Sequence, residues 1–195
     1  MKYLFDRVVS FVGLLFLWPV LAVVAVLIRV KMPGGPVIFK QQRVGRNGKL
    51  FTMYKFRSMT VSHSGSSVSV AGESRITPLG AKLRRYKLDE LPELWNVMIG
   101  DMSFVGPRPE VQRYVDLYTP YQRQVLLVRP GITDYASIAY RNENDLLAGA
   151  NDPERMYIEE IMPAKIELNM KYLREISPIA DLRLIFGTIA AVIRG

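Results

Sequence analysis

The segment VVSFVGLLFLWPVLAVVAVLI (residues 8–28) contains no charged side chain. A helix that crosses a bilayer needs about 20 predominantly apolar residues, so this segment is long enough to do so. Basic residues flank both of its ends, with Lys2 and Arg7 before it and Arg29 and Lys31 after it. A signal peptide is a poor interpretation, because the small-residue cleavage pattern is missing and basic residues follow at once. The segment therefore predicts a membrane anchor rather than a helix of a soluble core.

Pro19 stands near the middle of this segment and allows two interpretations. Proline lacks a backbone N–H and clashes with the preceding helical turn, so it bends or breaks a helix. Each half would be roughly 15 Å long, about half the thickness of the hydrocarbon layer. A re-entrant helix bent at Pro19 would keep both basic flanks on one membrane face, in line with the positive-inside tendency. An ordinary kinked spanning helix is the alternative, because membranes tolerate proline.

Composition and charge limit the classes of function. The 195-residue chain has no cysteine and one histidine, His63, which excludes disulfides and argues against a zinc site. The net charge is +8, and residues 1–60 hold ten of the 26 Lys and Arg but only one acidic residue, Asp6. Positive charge beside an apolar segment indicates anionic lipid or phosphate at a membrane surface. Residues 61–195 are nearly neutral, so we expect no nucleic-acid partner.

The residue pattern predicts a mainly helical α+β protein, with an anchor over 1–30 and a catalytic domain over 31–195. Val37–Gln41 and Leu50–Tyr54 are predicted strands of a small β-hairpin, joined through GRNG. Residues 60–75 are predicted to form a mobile loop that carries an exposed His63. Helices are predicted at 78–86, at 91–99, at 111–127 with a break at Pro120, at 154–175 with an interruption at Pro163, and from Pro178 onward.

The last predicted helix has apolar residues on one face, at Leu182, Ile185, Phe186, Ile189 and Ile193. We expect this face to pack in the core, with the bilayer surface as the alternative.

The segment YKLDELPEL (86–94) sets Asp89 and Glu90 side by side where a helix is predicted to begin. Acidic residues are common in a first helical turn because they meet the positive end of the helix dipole, so a structural role is the simple alternative. The basic residues nearby favour phosphate chemistry instead. Arginine side chains and backbone N–H groups can bind a diphosphate, and a carboxylate can bind Mg²⁺ or attack phosphorus. The candidate cations are Arg84, Arg85, Lys87 and Arg108, with Lys55 and Arg57 as additions.

Two common types of active site are excluded. The chain has no G-x-x-x-x-G-K-[ST] phosphate loop, and a single loop histidine leaves no Ser-His-Asp triad. The loop GPRP (106–109) holds Arg108 between two prolines, which restrict the backbone around its guanidinium.

These residues together resemble the monotopic phosphoglycosyl transferases of the bacterial sugar transferase family. The resemblance covers nearly the whole chain. It is carried by KYLFDR, the proline-broken apolar segment, PGGPVIFKQQRVGRNGKLFTMYKFRSM, LRRYKLDELPELWNVMIGDMSFVGPRP and RPGIT. It implies transfer of a sugar-1-phosphate from a UDP-sugar to a polyprenyl phosphate such as undecaprenyl phosphate, with release of UMP, as the first membrane step of surface glycan synthesis.

The resemblance also implies a role for particular residues. Asp89 is the expected nucleophile and Mg²⁺ ligand, and Glu90 supports it. Lys55, Arg84 and Arg129 match charged positions of the family, and Arg108 is associated with the nucleotide, together with its loop residues Gly106, Pro107 and Pro109. The anchor is expected to be re-entrant, with the catalytic domain on the cytoplasmic face of the bacterial inner membrane. The oligomeric state stays open, a homodimer included.

The chain departs from the family pattern at three places. Trp18 stands where a serine often precedes the proline, DYASI follows PGIT where many members have GWAQV, and Asn169 replaces a frequent aspartate whose role Glu167 could take. Two rival functions remain open. One is a non-catalytic membrane-surface adaptor that binds anionic lipid, and the other is direct displacement without a covalent adduct.

Overall fold

The longest element is a helix near the start of the chain. The computed structural model describes residues 2–61 and 75–193, and in it α1 (Lys2–Lys31) continues through Pro19. Among the described helices, α1 is the one that could cross a membrane by length and composition, and little of it is buried. The long apolar helix is therefore confirmed, while its re-entrant path remains a prediction. The prediction for His63 lies outside the described residues.

Both ends of α1 contact the rest of the protein, whereas no residue in its middle is buried. Near the start, the buried carboxylate of Asp6 accepts a hydrogen bond from Ser103 at 2.5 Å. Towards the end, Ile28 belongs to the same buried apolar cluster as Phe56. Residues 11–23 between these contacts are exposed or half-buried. The middle of α1 thus presents its apolar surface outward.

The predicted β-hairpin is confirmed, with strands longer than expected. Strands β1 (Ile38–Val44) and β2 (Leu50–Phe56) pair antiparallel, from Ile38 opposite Phe56 to Val44 opposite Leu50. A 3₁₀ turn at Arg46–Gly48 joins them, with Asn47 at φ 57° and Gly48 at φ 75°. These left-handed positions suit Asn and Gly, which explains the turn-rich sequence between the strands.

The other described helices follow in a chain of short and medium segments. They are α2 (Pro78–Arg85), α3 (Glu93–Ile99), α4 (Gln112–Val115), α5 (Tyr135–Ala139), α6 (Glu143–Ala148), α7 (Pro153–Met156), α8 (Met162–Glu175) and α9 (Pro178–Ile193). Helices α2, α3, α8 and α9 confirm their predictions. The break at Pro163 takes the form of a π turn at Tyr157–Ile161, which joins α7 to α8 and places the proline in the first turn of α8.

The predicted break at Pro120 is confirmed, but much less of the range 111–127 is α-helical than expected. Helix α4 ends at Val115, and a separate 3₁₀ helix covers Gln122–Leu127. The residue before a proline avoids helical backbone, and the N–H of Thr119 donates to the side chain of Gln122 at 2.9 Å. Pro120 therefore separates two short segments, as predicted.

The packing expected for the last helix is wrong for most of its predicted core face, although Ile185 of that face is partly buried against the core. Leu182, Phe186 and Ile189 on the predicted core face of α9 are 50%, 66% and 49% exposed. The buried residues are Ala180 and Leu184, on the side of α9 that joins a cluster with Val105 and Tyr172. The prediction failed because α9 is apolar around most of its surface, so periodicity did not identify the face that packs inward.

A second small sheet was not predicted. Strands β3 (Ser103–Val105) and β4 (Gly131–Thr133) pair in parallel. The two backbones approach closely at Gly106, just after β3, and at Gly131 in β4, so a Cβ on Gly131 would overlap the backbone of Gly106. This close approach fixes the loop GPRP against the segment RPGIT.

Candidate active site

A left-handed turn places Asp89 and Glu90 between α2 and α3. Lys87 adopts φ 56°, an uncommon conformation for a residue other than glycine, and a 3₁₀ turn at Leu88–Glu90 follows it. Asp89 and Glu90 are 7% and 8% exposed, although acidic side chains normally face water. The simple structural alternative, an acid that meets the positive end of the helix dipole, does not by itself require this burial.

Glu90 lies at the centre of a cluster of cations. Its Oε1 pairs with Nη2 of Arg108 and lies 3.0 Å from Nζ of Lys55 and 3.8 Å from Nζ of Lys87. Burial by itself would raise the pKa of Glu90, but Arg108, Lys55 and Lys87 together lower that pKa well below its usual value. In return, Glu90 raises the pKa of Arg108. The cations therefore favour the ionised form of Glu90, which pairs with all three of them.

Asp89 has the opposite electrostatic character. Burial raises its pKa, and the charge of Glu90 raises it further, while Lys55, Lys87 and Arg84 act against the shift. Its Oδ1 is buried without a hydrogen-bond partner among the described residues. Two adjacent carboxyl groups with divergent pKa shifts are typical of sites where one group reacts and the other orients charge.

Glu93 is a member of this cluster that the sequence did not single out. Its side chain is almost fully buried, and its Oε1 lies 3.0 Å from Nζ of Lys55, so one ammonium group bridges Glu90 and Glu93. Burial raises the pKa of Glu93, and Glu90 adds to that effect. The available signal was the three-residue spacing from Glu90, which places both side chains on one helical face.

The loop that carries Arg108 is held from two sides. Its backbone N–H donates to Asp134 at 3.1 Å, and Asp134 also caps α5 through the N–H of Ser137. On the other side, Arg43 donates to the carbonyl of Pro109 at 3.3 Å. Asp134 belongs to DYASI, so this departure from the family pattern supplies a fully buried anchor for the loop.

The structure brings together most of the predicted site residues but not all. Arg84 donates to Ser58 at 3.0 Å and acts on the pKa of Asp89. Arg57 is buried and donates to the carbonyl of Met32, at the end of α1. Arg129 lies over the ring of Tyr3, 4.3 Å from its centroid. Arg57 thus contacts the residue just beyond α1 and Arg129 contacts α1 itself, and neither of these contacts is with the carboxylate cluster.

The other two departures lie away from the cluster. Trp18 is 64% exposed on α1. Asn169 is buried in α8, and its Oδ1 has no hydrogen-bond partner in the described part of the chain. Glu167 accepts a hydrogen bond from Tyr121 at 3.2 Å.

The donor set at Asp89 fits a magnesium ion that is shared with a phosphate substrate. Within residues 2–61 and 75–193, no group of three acidic, His or Cys side chains could enclose a metal. Mg²⁺ commonly uses one or two carboxylates, keeps several waters and takes the remaining ligands from substrate phosphates. The unpartnered Oδ1 of Asp89 is a suitable ligand of that kind.

Comparison with known proteins yields relatives along the whole chain. An "Exopolysaccharide production protein PSS" from Rhizobium leguminosarum bv. phaseoli is 38% identical over 202 residues, which cover 98% of this chain and 94% of that protein. A "UDP-glucose:undecaprenyl-phosphate glucose-1-phosphate transferase" from Escherichia coli (strain K12) is 37% identical over 190 residues, 94% of this chain and 38% of that protein.

A third relative is named for a different sugar. The "UDP-N-acetylgalactosamine-undecaprenyl-phosphate N-acetylgalactosaminephosphotransferase" of Aeromonas hydrophila is 35% identical over 182 residues, 91% of this chain and 40% of that protein. The chain spans about two fifths of the length of the Escherichia and Aeromonas relatives. The family model described as bacterial sugar transferase matches residues 1–195. With its full length matched, this chain belongs to the bacterial sugar transferase family.

Proposed function

We propose that this protein transfers a sugar-1-phosphate from a UDP-sugar to a polyprenyl phosphate, with Asp89 as the nucleophile. The observation that carries the proposal is the buried, unpartnered oxygen of Asp89 beside a glutamate that holds three cations. The names of the Escherichia and Aeromonas relatives support the two substrate classes. The relative named for exopolysaccharide production supports a role in glycan synthesis.

The reaction takes place in two displacements at one phosphorus atom. In the first, an oxygen of Asp89 forms a bond to the β-phosphorus while the bond to the bridging oxygen breaks, and UMP leaves with the electron pair. In the second, a phosphate oxygen of the polyprenyl phosphate bonds to the same phosphorus and the Asp89 carboxylate leaves. The products are UMP and a polyprenyl diphosphate sugar. A covalent intermediate lets a water-soluble donor and a lipid acceptor use the same site in turn.

The surrounding residues make this attack feasible. Asp89 must be ionised to attack, yet burial and Glu90 raise its pKa, so positive charge has to accompany the anionic donor. Arg108 and Lys55, held by Glu90, are placed to bind diphosphate oxygens. A magnesium ion bound at Asp89 would neutralise further phosphate charge. Arg84 would contribute by lowering the pKa of Asp89. Arg57 and Arg129 would add positive charge from outside the carboxylate cluster.

The contacts of α1 support a re-entrant anchor. A straight helix of this length would extend about 45 Å, enough to pass through a hydrocarbon layer of about 30 Å. A spanning helix would place its two ends on opposite faces, but residues near both ends contact the same folded domain. We infer that α1 enters and leaves on the cytoplasmic face of the inner membrane. The exposed apolar side of α9 would lie against the same surface.

The test is UMP release from a panel of UDP-sugars, with and without undecaprenyl phosphate. Asp89→Asn should abolish UMP release while membrane association is retained, because the amide cannot attack phosphorus. Asp145→Asn, at an exposed position, is the matched control and should keep wild-type activity. Full activity of Asp89→Asn, with reversion of the amide excluded, would remove the proposed nucleophile. No UMP release by the wild-type protein with any UDP-sugar would favour the lipid-binding adaptor.

A further inference from the structure

An apolar groove of about 600 Å³ lies beneath the middle of α1. Leu14, Ala22 and Ala25 of α1 form one wall, and Tyr54 of β2 and Trp95 of α3 lie among the opposing residues. We call this space the α1 groove. Its volume lies within the range of about 300–1,000 Å³ that is typical of sites for small organic ligands. Helix α1 contacts the domain on both sides of this groove, through Ser10 near its start and Ile28 towards its end.

The α1 groove contains a single charged side chain among its described lining residues. Lys40 projects from β1, is exposed, and forms no ion pair with any described residue. Its Nζ lies 5.8 Å from the centroid of the Tyr54 ring. An unpaired ammonium group at an apolar groove is complementary to a ligand that joins an anionic group to a hydrocarbon chain.

The α1 groove also adjoins the carboxylate cluster. Pro92 lines the groove and follows Glu90 by two positions in the chain. Tyr54 and Phe56 line it from β2, on either side of Lys55, which holds Glu90. Side chains alternate between the two faces of a strand, so Lys55 points to the face of β2 opposite the groove. A ligand in the groove therefore lies across β2 from Lys55 and beside the segment that follows Glu90.

We propose that the α1 groove binds the first isoprene units of the polyprenyl phosphate acceptor and that Lys40 attracts its phosphate group. The proposal rests on the proposed function, because it supplies the acceptor site of that reaction. A groove between a membrane helix and the catalytic domain lets the acceptor keep its hydrocarbon chain out of water while its phosphate approaches the site. The competing occupant is an ordinary phospholipid acyl chain.

Two matched pairs of variants test the proposal. Ala22→Phe adds a ring inside the α1 groove, and Val23→Phe adds the same ring at a neighbouring position that is 59% exposed and does not line the groove. Lys40→Gln removes the positive charge at the groove, and Lys49→Gln removes a charge at the exposed far end of the same hairpin. Each variant is assayed as the full-length protein in nanodiscs, with undecaprenyl phosphate as acceptor.

The readouts separate binding of the acceptor from chemistry on the donor. Ala22→Phe should raise the KM for undecaprenyl phosphate at least about tenfold by occupying the site. Lys40→Gln should raise it about three- to fivefold, and less at high salt, because an exposed charge is screened. Exchange of labelled UMP into UDP-sugar without acceptor should stay at the wild-type rate in both. The two control variants should match the wild type in both assays.

The outcomes are decisive in either direction. An unchanged acceptor KM in Lys40→Gln, or an equal rise in both members of a pair, would overturn the proposal and leave the groove to phospholipid. If Ala22→Phe also loses UMP exchange, it has disturbed the fold, and Lys40→Gln alone decides. Failure of the wild type to exchange UMP would count against the covalent route and not against the groove, because the acceptor KM is measured from the overall transfer reaction.

Discussion

Two neighbouring carboxyl groups are driven to opposite electrostatic states by their partners. Glu90 is kept ionised by Arg108 and Lys55, whereas Asp89 is buried with one oxygen unpartnered and has a raised pKa. The same backbone turn therefore provides a charge that is held by cations and, in the proposed reaction, the attacking group. The proposed reaction depends on the Asp89 oxygen that lacks a hydrogen-bond partner and not on the number of acidic residues.

This arrangement predicts the effect of Glu90→Gln on the pH dependence. The pKa of Asp89 is raised first by burial and second by the charge of Glu90. Removing the charge of Glu90 should therefore lower the pKa of Asp89 in part. The acid limb of UMP release should move to lower pH. The maximal rate should fall at least about tenfold, because Arg108 and Lys55 lose their shared acceptor.

The measurement is the rate of UMP release from pH 5 to 9, with Glu160→Gln, an exposed substitution, as control. An acid limb that stays in place or moves to higher pH in Glu90→Gln would contradict the assigned coupling between the two carboxyl groups.

The sequence predicted that Asp89 and Glu90 lie beside cations, but it did not predict their full environment. Asp89, Glu90, Arg108 and Lys55 could be found from local charge and from the family resemblance. Glu93 and Asp134 were not singled out, because an acidic residue in a first helical turn or in a loop is ordinary until its burial is known, and the spacing of Glu93 from Glu90 did not by itself indicate that burial.

At the scale of elements, the pairing of β3 with β4 determines the position of Arg108. The N–H of Gly106 donates to Thr133 at 3.0 Å, and the N–H of Gly131 donates to Pro107 at 3.0 Å. These bonds join two loops that are far apart in the chain, and they require glycine at the point of closest approach. The loop GPRP is therefore positioned by the segment RPGIT.

Gly131→Ala tests this role of the sheet. The added Cβ would overlap the backbone of Gly106, which cannot move aside as a flexible side chain would. We expect a loss of at least about 2 kcal/mol in the free energy of unfolding, with lower UMP release. Gly149→Ala is the matched control, because its Cβ would meet its nearest atom at 3.7 Å and its φ is −83°.

Thermal unfolding in detergent compares the two alanine variants. Equal stability of Gly131→Ala and Gly149→Ala would show that the close approach of the two glycines does not constrain the loop.

Prediction of elements succeeded where local signals were strong. The hairpin has Asn and Gly at its left-handed turn positions, and α2 begins with a Thr77 cap followed by a proline. The sheet of β3 and β4 has three-residue strands paired across a long separation, so no local periodicity could indicate it. The face of α9 that packs inward was predicted wrongly for a similar reason, because tertiary contacts and not local periodicity determine which face is buried.

For the whole molecule, the placement of α1 against the domain supports the proposed path of this helix relative to the membrane. Lys2 pairs with Asp181 at 2.5 Å, and Met32, just beyond the helix, is buried in the cluster with Ile28. A domain on one face of a bilayer that contacts both ends of the helix is compatible with re-entry. The charge asymmetry and the apolar segment predicted membrane association from the sequence, but they left the path open.

Site-specific labelling tests that path, and the absence of cysteine from the chain gives a clean background. One variant carries a cysteine added before Met1, and another carries Lys49→Cys in the hairpin turn. Both should react with a membrane-impermeant maleimide only after spheroplasts are permeabilised. Reaction of just one of them in intact spheroplasts would place the two positions on opposite faces and contradict re-entry.

The most direct measurement is the intact mass of the purified protein after incubation with its UDP-sugar in the absence of acceptor. The account predicts a mass increase equal to one sugar phosphate, located by peptide analysis at Asp89 and removed when undecaprenyl phosphate is added. Turnover of the UDP-sugar with no adduct on the trapped protein, or an adduct at another residue, would contradict it.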